Sequence, residues 1–434
     1  MANVKPLAPS STSATGDVYE NKELANNDMD QRVLEGFPDG GAQAWMTVLG
    51  GFFSTVAGIG VLSGFSVFQS YYGAVGLSRY SPADIAWIGN LQIWGCFVFG
   101  LVSGWLSDTY GPQLPMALGS FFMVLGTMTA SISTKYYHFI LSQGLCSAIG
   151  IGLTFVPSLA VQCQWFLKRR GLVVGLVLSG QNIGGVIWPV VVNNMVNYRG
   201  ITFGWTLRTI GFLQMFLMVS ATLLMHRRFP RRTQERLAFP VMPFLKHHAT
   251  LIFTLAMFIG FLGVYIPYFY ITSYGIQYGI NTTLAFYYSA ILNAAAFFGC
   301  HITGLVADAY FGAFNTLVAL TFASGVTAFG WIGAQTNAGM IIWIIVYGLL
   351  TGGLQAICTP CIAAIAPDPE IIPTWNGLVL GFVSFAVLGT GSIGGELLEN
   401  AGGTDYVPMQ VFTSVTLTIA GALFLAILQS YRSL

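Results

Sequence analysis

Twelve separate runs of mostly apolar residues punctuate this chain, each about twenty residues long, the length a helix needs to cross the hydrocarbon core of a bilayer. They fall at 45–68, 83–106, 115–133, 137–162, 171–192, 204–225, 249–273, 284–306, 314–333, 339–362, 375–397 and 408–430. Breakers stand between them, among them Ser81-Pro82, Gly111-Pro112, Pro367-Asp368-Pro369 and Gly402-Gly403. Lipid offers no hydrogen-bond partner to the backbone, so runs of this length are expected as helices that satisfy their own amides. The expected class is an all-α integral membrane protein with twelve transmembrane helices. Only 8% of the residues are charged and 55% are hydrophobic, against about 25% charged in soluble domains. A soluble fold of this composition could not cover its apolar surface. The 52 glycines suit close approach between helices in lipid.

Lysine and arginine set an expected orientation. With the N-terminus inside, thirteen of the seventeen lie on the cytosolic side, and only Arg79, Lys135, Arg199 and Arg208 lie on the other. An even number of spans then places both termini in the cytosol, with the plasma membrane as the expected site. Residues 1–37 read as a disordered polar tail without the apolar core of a signal peptide. Residues 226–248 form a basic cytosolic loop, with six Lys or Arg from Arg227 to Lys246. That loop divides the chain into two six-helix halves, 38–225 and 249–434. The net charge of +1 gives no basis for a nucleic-acid partner. Six cysteines lie mostly inside apolar runs and do not form a secreted-type disulfide framework.

The halves carry matching motifs. Gly104-Trp-Leu-Ser-Asp108-Thr-Tyr-Gly111 follows the second run, and Gly304-Leu-Val-Ala-Asp308-Ala-Tyr-Phe-Gly312 follows the eighth. Gly171-Leu-Val-Val-Gly175 opens the fifth run, and Gly377-Leu-Val-Leu-Gly381 is near the start of the eleventh. On these residues the chain resembles the major facilitator superfamily. The resemblance implies two bundles that rock about a midplane site, driven by a solute or proton gradient. It also implies that Asp108 and Asp308 latch one conformation by pairing with a neighbouring helix. The basic residues usual after that motif are replaced by Pro112-Gln113-Leu114-Pro115, so the latch is expected to be weaker or differently paired.

Two further stretches resemble the monocarboxylate porter family, and more its fungal branch. Pro38-Asp39-Gly40-Gly41 with Trp45 is similar to the family's entry motif. Trp165-Phe166 followed by Lys168-Arg169-Arg170-Gly171-Leu172, with Gly175-Leu176, Ser179-Gly180 and Gly184-Gly185, is similar to its fifth-span signature. Animal lactate carriers of this family hold a lysine in span one and an aspartate and an arginine in span eight. Here those regions read Leu62-Ser63-Gly64 and Asn293 to Cys300 followed by His301. A site with no fixed cation is poorly built to hold a carboxylate in low dielectric. The resemblance therefore implies a secondary transporter of an organic acid or amphiphilic metabolite, in the manner of fungal metabolite efflux. Proton-coupled monocarboxylate uptake is the first alternative, and a non-transporting membrane sensor the second. A membrane enzyme would need His, Asp, Glu or Cys groups converging at one depth, which the pattern does not supply. No nucleotide-binding loop, metal set or cofactor motif is expected.

Polar residues inside spans must face a partner or a cavity. The expected substrate contacts are Gln181, Asn182, Asn293 and Tyr265. His301 joins them as an ionisable group late in span eight, with a backbone-bonded histidine as its alternative. Asn90, Gln92, Gln143, Gln355, Tyr268 and Trp188 complete the polar set, some of them as glue between helices. Lys168, Arg169 and Arg170 suit topology and phospholipid contact, or pairing with an acid during gating. Asp39 is expected to cap span one, with Gly40 and Gly41 turning the chain before Trp45. Glu396 and Arg208 reach the outer interface or act on a proton or an anion. Gly389-Thr-Gly391-Ser-Ile-Gly394 fits a dinucleotide fingerprint but lies inside an apolar run, where close packing explains it. Cys358-Thr-Pro-Cys361 ends the tenth run outside any redox context. Asn281-Thr282-Thr283 is a permitted glycosylation acceptor on the outer side.

Overall fold

The computed structural model describes residues 37–72, 77, 79–80, 82–228 and 241–432. All but the last residue of the tail expected over 1–37, and residues 229–240 of the basic loop, lie outside them. Among the described residues, twelve helices are long and apolar enough to cross a membrane: Ala42–Ser63, Asp84–Tyr110, Gln113–Ala130, Tyr136–Trp165, Arg170–Val196, Phe203–Leu224, His248–Gln277, Tyr287–Phe311, Ala313–Gly333, Asn337–Ile365, Pro369–Asn400 and Val407–Gln429. They are numbered here as spans 1 to 12. Each coincides with one apolar run, and the differences lie at the ends. Span 2 continues through Ser107, Asp108 and Thr109 to Tyr110. Hydropathy reports the edge of the lipid, whereas the helical hydrogen bonds continue past it.

Spans 1 and 7, each the first of six, are interrupted. Span 1 breaks at Gly58 and again at Gly64, and helix resumes over Phe65–Tyr71. Span 7 breaks at Tyr265, ahead of Pro267, which has no amide hydrogen to donate. Carbonyls near the breaks would be costly in a dry interior, so neighbouring helices supply donors. The Trp188 indole donates to Val56 O at 2.8 Å and the Gln214 amide to Ala57 O at 2.9 Å. In span 7 the Thr390 hydroxyl donates to Phe261 O and the Tyr347 hydroxyl to Val264 O, both at 3.0 Å.

Spans 1 to 6 pack on one another: 1 against 5 and 6, 2 against 4, and 3 against 4 and 6. Spans 7 to 12 do likewise: 7 against 11 and 12, 8 against 10, and 9 against 10 and 12. The two sets meet along spans 2 and 11 and along spans 5 and 8. These contacts are backbone-close. A methyl group on Gly104 would collide with the carbonyl of Pro373, and one on Gly304 would come within 2.5 Å of Gly171 O. Only a residue without Cβ lets the helices approach so far. Phe216, Leu223 and Val326 are strongly exposed and point outward, as lipid-facing residues do.

Candidate functional site

A cavity of about 230 Å³ lies between the two sets of helices. A water's share of liquid volume is about 30 Å³, so the space has room for on the order of eight waters. Spans 1, 2, 4 and 5 form one wall and spans 7, 8, 10 and 11 the other. The cavity reaches from Leu159, Thr359 and Leu380 up to Gln69, Ala86 and Phe269. Both interrupted helices line it, through Ile59, Leu62, Ser63 and Phe65 and through Tyr265, Tyr268 and Phe269. A helix that must both break and face an opening needs the external braces described above, which explains why Trp188 points away from the cavity and into the core.

The lining is uncharged. Among its described residues there is no Asp, Glu, Lys, Arg or His. Phe65, Phe97, Phe155, Phe261 and Phe269 provide apolar surface, and Asn90, Gln181, Asn182, Asn293 and Gln355 provide amides. Gln355 is the hub of a small network. Its Oε1 accepts from the Tyr265 hydroxyl at 3.1 Å and, in a long contact of 3.5 Å, from Gln181 Nε2 on the opposite wall. Tyr268 shares a hydrogen bond with Thr351 at 3.0 Å. Asn182 is buried and donates across the same divide to Cys300 Sγ at 3.7 Å. Asn293 donates to Ser289 O in its own helix at 3.0 Å. Gln181, Asn182, Asn293 and Tyr265 thus stand together at one opening.

His301 stands elsewhere. Its Nδ1 lies 2.7 Å from Phe297 O, its ring packs on the Phe297 ring, and it does not line the cavity. A carbonyl one helical turn back occupies the imidazole, the alternative weighed for it from sequence. Gln355 belongs, by sequence, to the broader set of polar residues inside spans, without a motif to single it out. Helical spacing shows that an amide lies within a span, but not which of two neighbouring faces opens on a cavity. Gln92 and Gln143 illustrate this, since both face a small pocket inside spans 1 to 6 rather than the central cavity.

The end of the molecule that carries Asp108 and Asp308 is shut. Asp108 Oδ2 accepts from Thr374 N at 2.8 Å and from the Thr374 hydroxyl. Asp308 Oδ1 and Oδ2 accept from Gly171 N at 2.9 Å and Leu172 N at 2.7 Å. Each carboxylate therefore caps the first turn of a helix from the other set. Those amides have no intrahelical partner, and the positive end of the helix dipole favours an anion there. A carboxylate held by backbone amides does not need the basic residues that Pro112-Gln113-Leu114-Pro115 replace.

Asp39 behaves differently from the expectation. Span 1 has Gly41 at its start with no side-chain cap, and Gly41 takes φ +93°, which favours glycine. The Asp39 carboxylate instead accepts from Leu167 N and Lys168 N, each at 2.8 Å. The tight turn at 39–41 aims the side chain at the neighbouring 166–170 turn rather than along its own helix. Trp45 packs edge-on against Phe166 at 5.4 Å, and Arg170 stacks over the Phe37 ring at 5.2 Å. Arg170 Nε also donates to Phe166 O and Cys163 O. The entry segment and the span-5 signature form one interlocked unit, with the Lys168 and Arg169 side chains exposed beside it. Arg208 donates to Ser131 Oγ and lies over the Trp205 ring, and the exposed Glu396 accepts from Asn400. Gly391 O accepts from the Tyr270 hydroxyl, and Gly394 packs against that ring, so the fingerprint-like stretch is a helix-packing surface.

Comparison with known proteins completes the site's setting. The family model described as Major Facilitator Superfamily matches residues 47–395. The aspyridones efflux protein apdF of Emericella nidulans is 36% identical over 389 residues, which cover 90% of this chain and 78% of that protein. The agnestins efflux protein AgnL12 of Paecilomyces divaricatus is 33% identical, over 88% of this chain and 86% of that protein. Among solved structures, the transporter FucP in its outward conformation aligns with TM-score 0.68 at 13% identity, covering 88% of this chain and 98% of that one. The human organic anion transporter MFSD10 aligns with TM-score 0.65 at 12% identity, covering 88% and 97%.

Proposed function

The chain belongs to the Major Facilitator Superfamily, and on that premise we propose that it exports an uncharged or weakly polar amphiphilic metabolite by alternating access. It is a multi-pass membrane transporter rather than an enzyme. The observation that carries the substrate reading is the cavity lining, with aromatic rings, amides and phenols and no fixed charge among its described residues. Such a lining suits a ligand with an apolar body and a few hydrogen-bonding groups. Curated relatives named as efflux proteins support the direction of transport. In this reading Gln181, Asn182, Asn293 and Tyr265 contact the substrate, joined by Gln355. Residues 38–225 and 249–434 are the two bodies that rock. Asp108 and Asp308 hold the end between them shut until the substrate is released at the other end. The exposed Lys168 and Arg169 meet the phospholipid headgroups beside that end. The termini and the latch face the cytosol at the plasma membrane, the cavity faces outward, and Asn281 is glycosylated. Comparing medium and cell extract by untargeted mass spectrometry, with the chain present and deleted, tests the proposal. A compound that shifts from medium to cells on deletion supports export; unchanged distributions of every metabolite overturn it.

A second reading rests on the entry segment and the span-5 signature, which resemble the monocarboxylate porter family. In it the chain takes up a small carboxylate with a proton. Labelled-pyruvate uptake at acidic outside pH, in yeast lacking its own monocarboxylate carriers, separates the two. Uptake abolished by an uncoupler favours this second reading. No uptake by protein verified at the cell surface removes it.

A further inference from the structure

Gln181 and Gln355 approach each other from opposite walls of the cavity, and both line it. A contact between two primary amides uses one N–H and one carbonyl oxygen. Gln181 contributes one N–H and keeps an acceptor, Oε1, beside its second N–H. Gln355 contributes its oxygen, which also accepts from Tyr265, and keeps two N–H groups on Nε2, one of them directed to the Tyr268 oxygen and the other free. Turning both amides over exchanges the roles but still leaves one carbonyl oxygen free on one side and the N–H groups free on the other, so the pattern does not depend on how each amide is oriented. At 3.5 Å the contact is long, and a better partner can replace or join it.

We propose that this amide pair reads a ligand group carrying an acceptor and a donor on neighbouring atoms, in its uncharged form. Primary and secondary amides, lactams and enolised 1,3-dicarbonyls share that chemistry. A carboxylate does not, because it has only acceptors to set against the free acceptor of the pair, and the lining provides no cation to offset its desolvation. The titratable side chains facing the pair are Tyr265, Tyr268, Cys96 and Cys358, and none supplies a positive charge. Because the pair spans the two walls, a ligand bound to both members ties the halves together through itself. The inference rests on the reading of this cavity as the ligand site.

Titration calorimetry on the purified full-length chain tests it with three probes that share one 4-hexylphenyl body: 4-hexylbenzamide, its N,N-dimethyl amide, and 4-hexylbenzoate at pH 7. The benzamide offers donor and acceptor, the dimethyl amide an acceptor only, and the benzoate acceptors with a charge. The expected order is benzamide first, the dimethyl amide weaker by about tenfold for the lost hydrogen bond, and the benzoate weakest. Gln181→Leu, which removes the free acceptor, should bring the benzamide down towards the dimethyl amide while leaving the dimethyl amide within about twofold, whereas Gln355→Leu, which removes the donor, should weaken both. Equal binding of benzamide and dimethyl amide to the unaltered chain overturns the amide-pair inference and leaves the cavity as the ligand site. Binding by none of the three overturns both. The comparison on the unaltered chain stands even if a leucine variant fails to fold.

Discussion

Asp108 and Asp308 each grip the first turn of a helix from the opposite set through backbone amides, with the Thr374 hydroxyl adding a second donor to Asp108. Hydrogen bonds to a charged group contribute about 1.5–3 kcal/mol. Asp108→Ala is therefore expected to shift the equilibrium of the shut end towards opening by on the order of tenfold or more. Cys163 and Cys361 report this, because both are buried free thiols near that end, and Arg170 reaches the Cys163 carbonyl from the turn beside Asp308. Peptide mapping after maleimide treatment should find both labelled faster in the variant. Gly104→Ala should act in the same direction for a different reason, since its methyl group would strike the Pro373 carbonyl and hold spans 2 and 11 apart. Unchanged labelling in both variants would mean that these contacts do not hold the end shut. The aspartates and glycines stand out in the sequence because the motif occurs twice. Their partners do not, since a backbone amide at a helix start carries no residue signature.

Among the elements, the interrupted spans 1 and 7 combine weakness with support. Gly58, Gly64 and Pro267 stand at interruptions of the helical ladder beside the cavity lining, and Trp188, Gln214, Thr390 and Tyr347 donate to carbonyls around the breaks. Removing a buried donor leaves its acceptor unpaired, at a cost of about 1–3 kcal/mol. Trp188→Phe and Thr390→Val should each lower the melting temperature in detergent. Trp205→Phe, at an exposed position on span 6, should leave it nearly unchanged. Equal melting of all three would show that the breaks satisfy themselves. The apolar runs 45–68 and 249–273 pass through these residues without a gap, because hydropathy does not register a break in the helical ladder. That Trp188 braces a break rather than facing substrate was not readable either, because the choice depends on which neighbouring helix presents a free carbonyl.

Among the described residues the molecule has two sets of six spans, held together at the end that carries Asp108 and Asp308, with a cavity between them whose described lining is uncharged. The proposed orientation makes a plain prediction. An epitope inserted at Gly402-Gly403, between spans 11 and 12, should be reached by antibody in intact cells. A tag at the N-terminus should be reached only after permeabilisation. The reverse pattern would invert the molecule and turn the cavity inward. The sequence by itself determined the number of spans, the all-helical class and the repeated aspartate motif. These follow from local physics, since lipid forces long apolar runs to close their own hydrogen bonds, and a duplicated motif is visible wherever its copies fold. Only the tertiary structure decided that Asp39 holds a neighbouring turn instead of its own helix, that His301 turns to a carbonyl while Gln355 enters the cavity, and that Asp108 and Asp308 bond to backbone amides of the opposite set. Each of these depends on which faces of distant helices meet, and in spans apolar on nearly every side the hydrophobic pattern does not say which face turns inward.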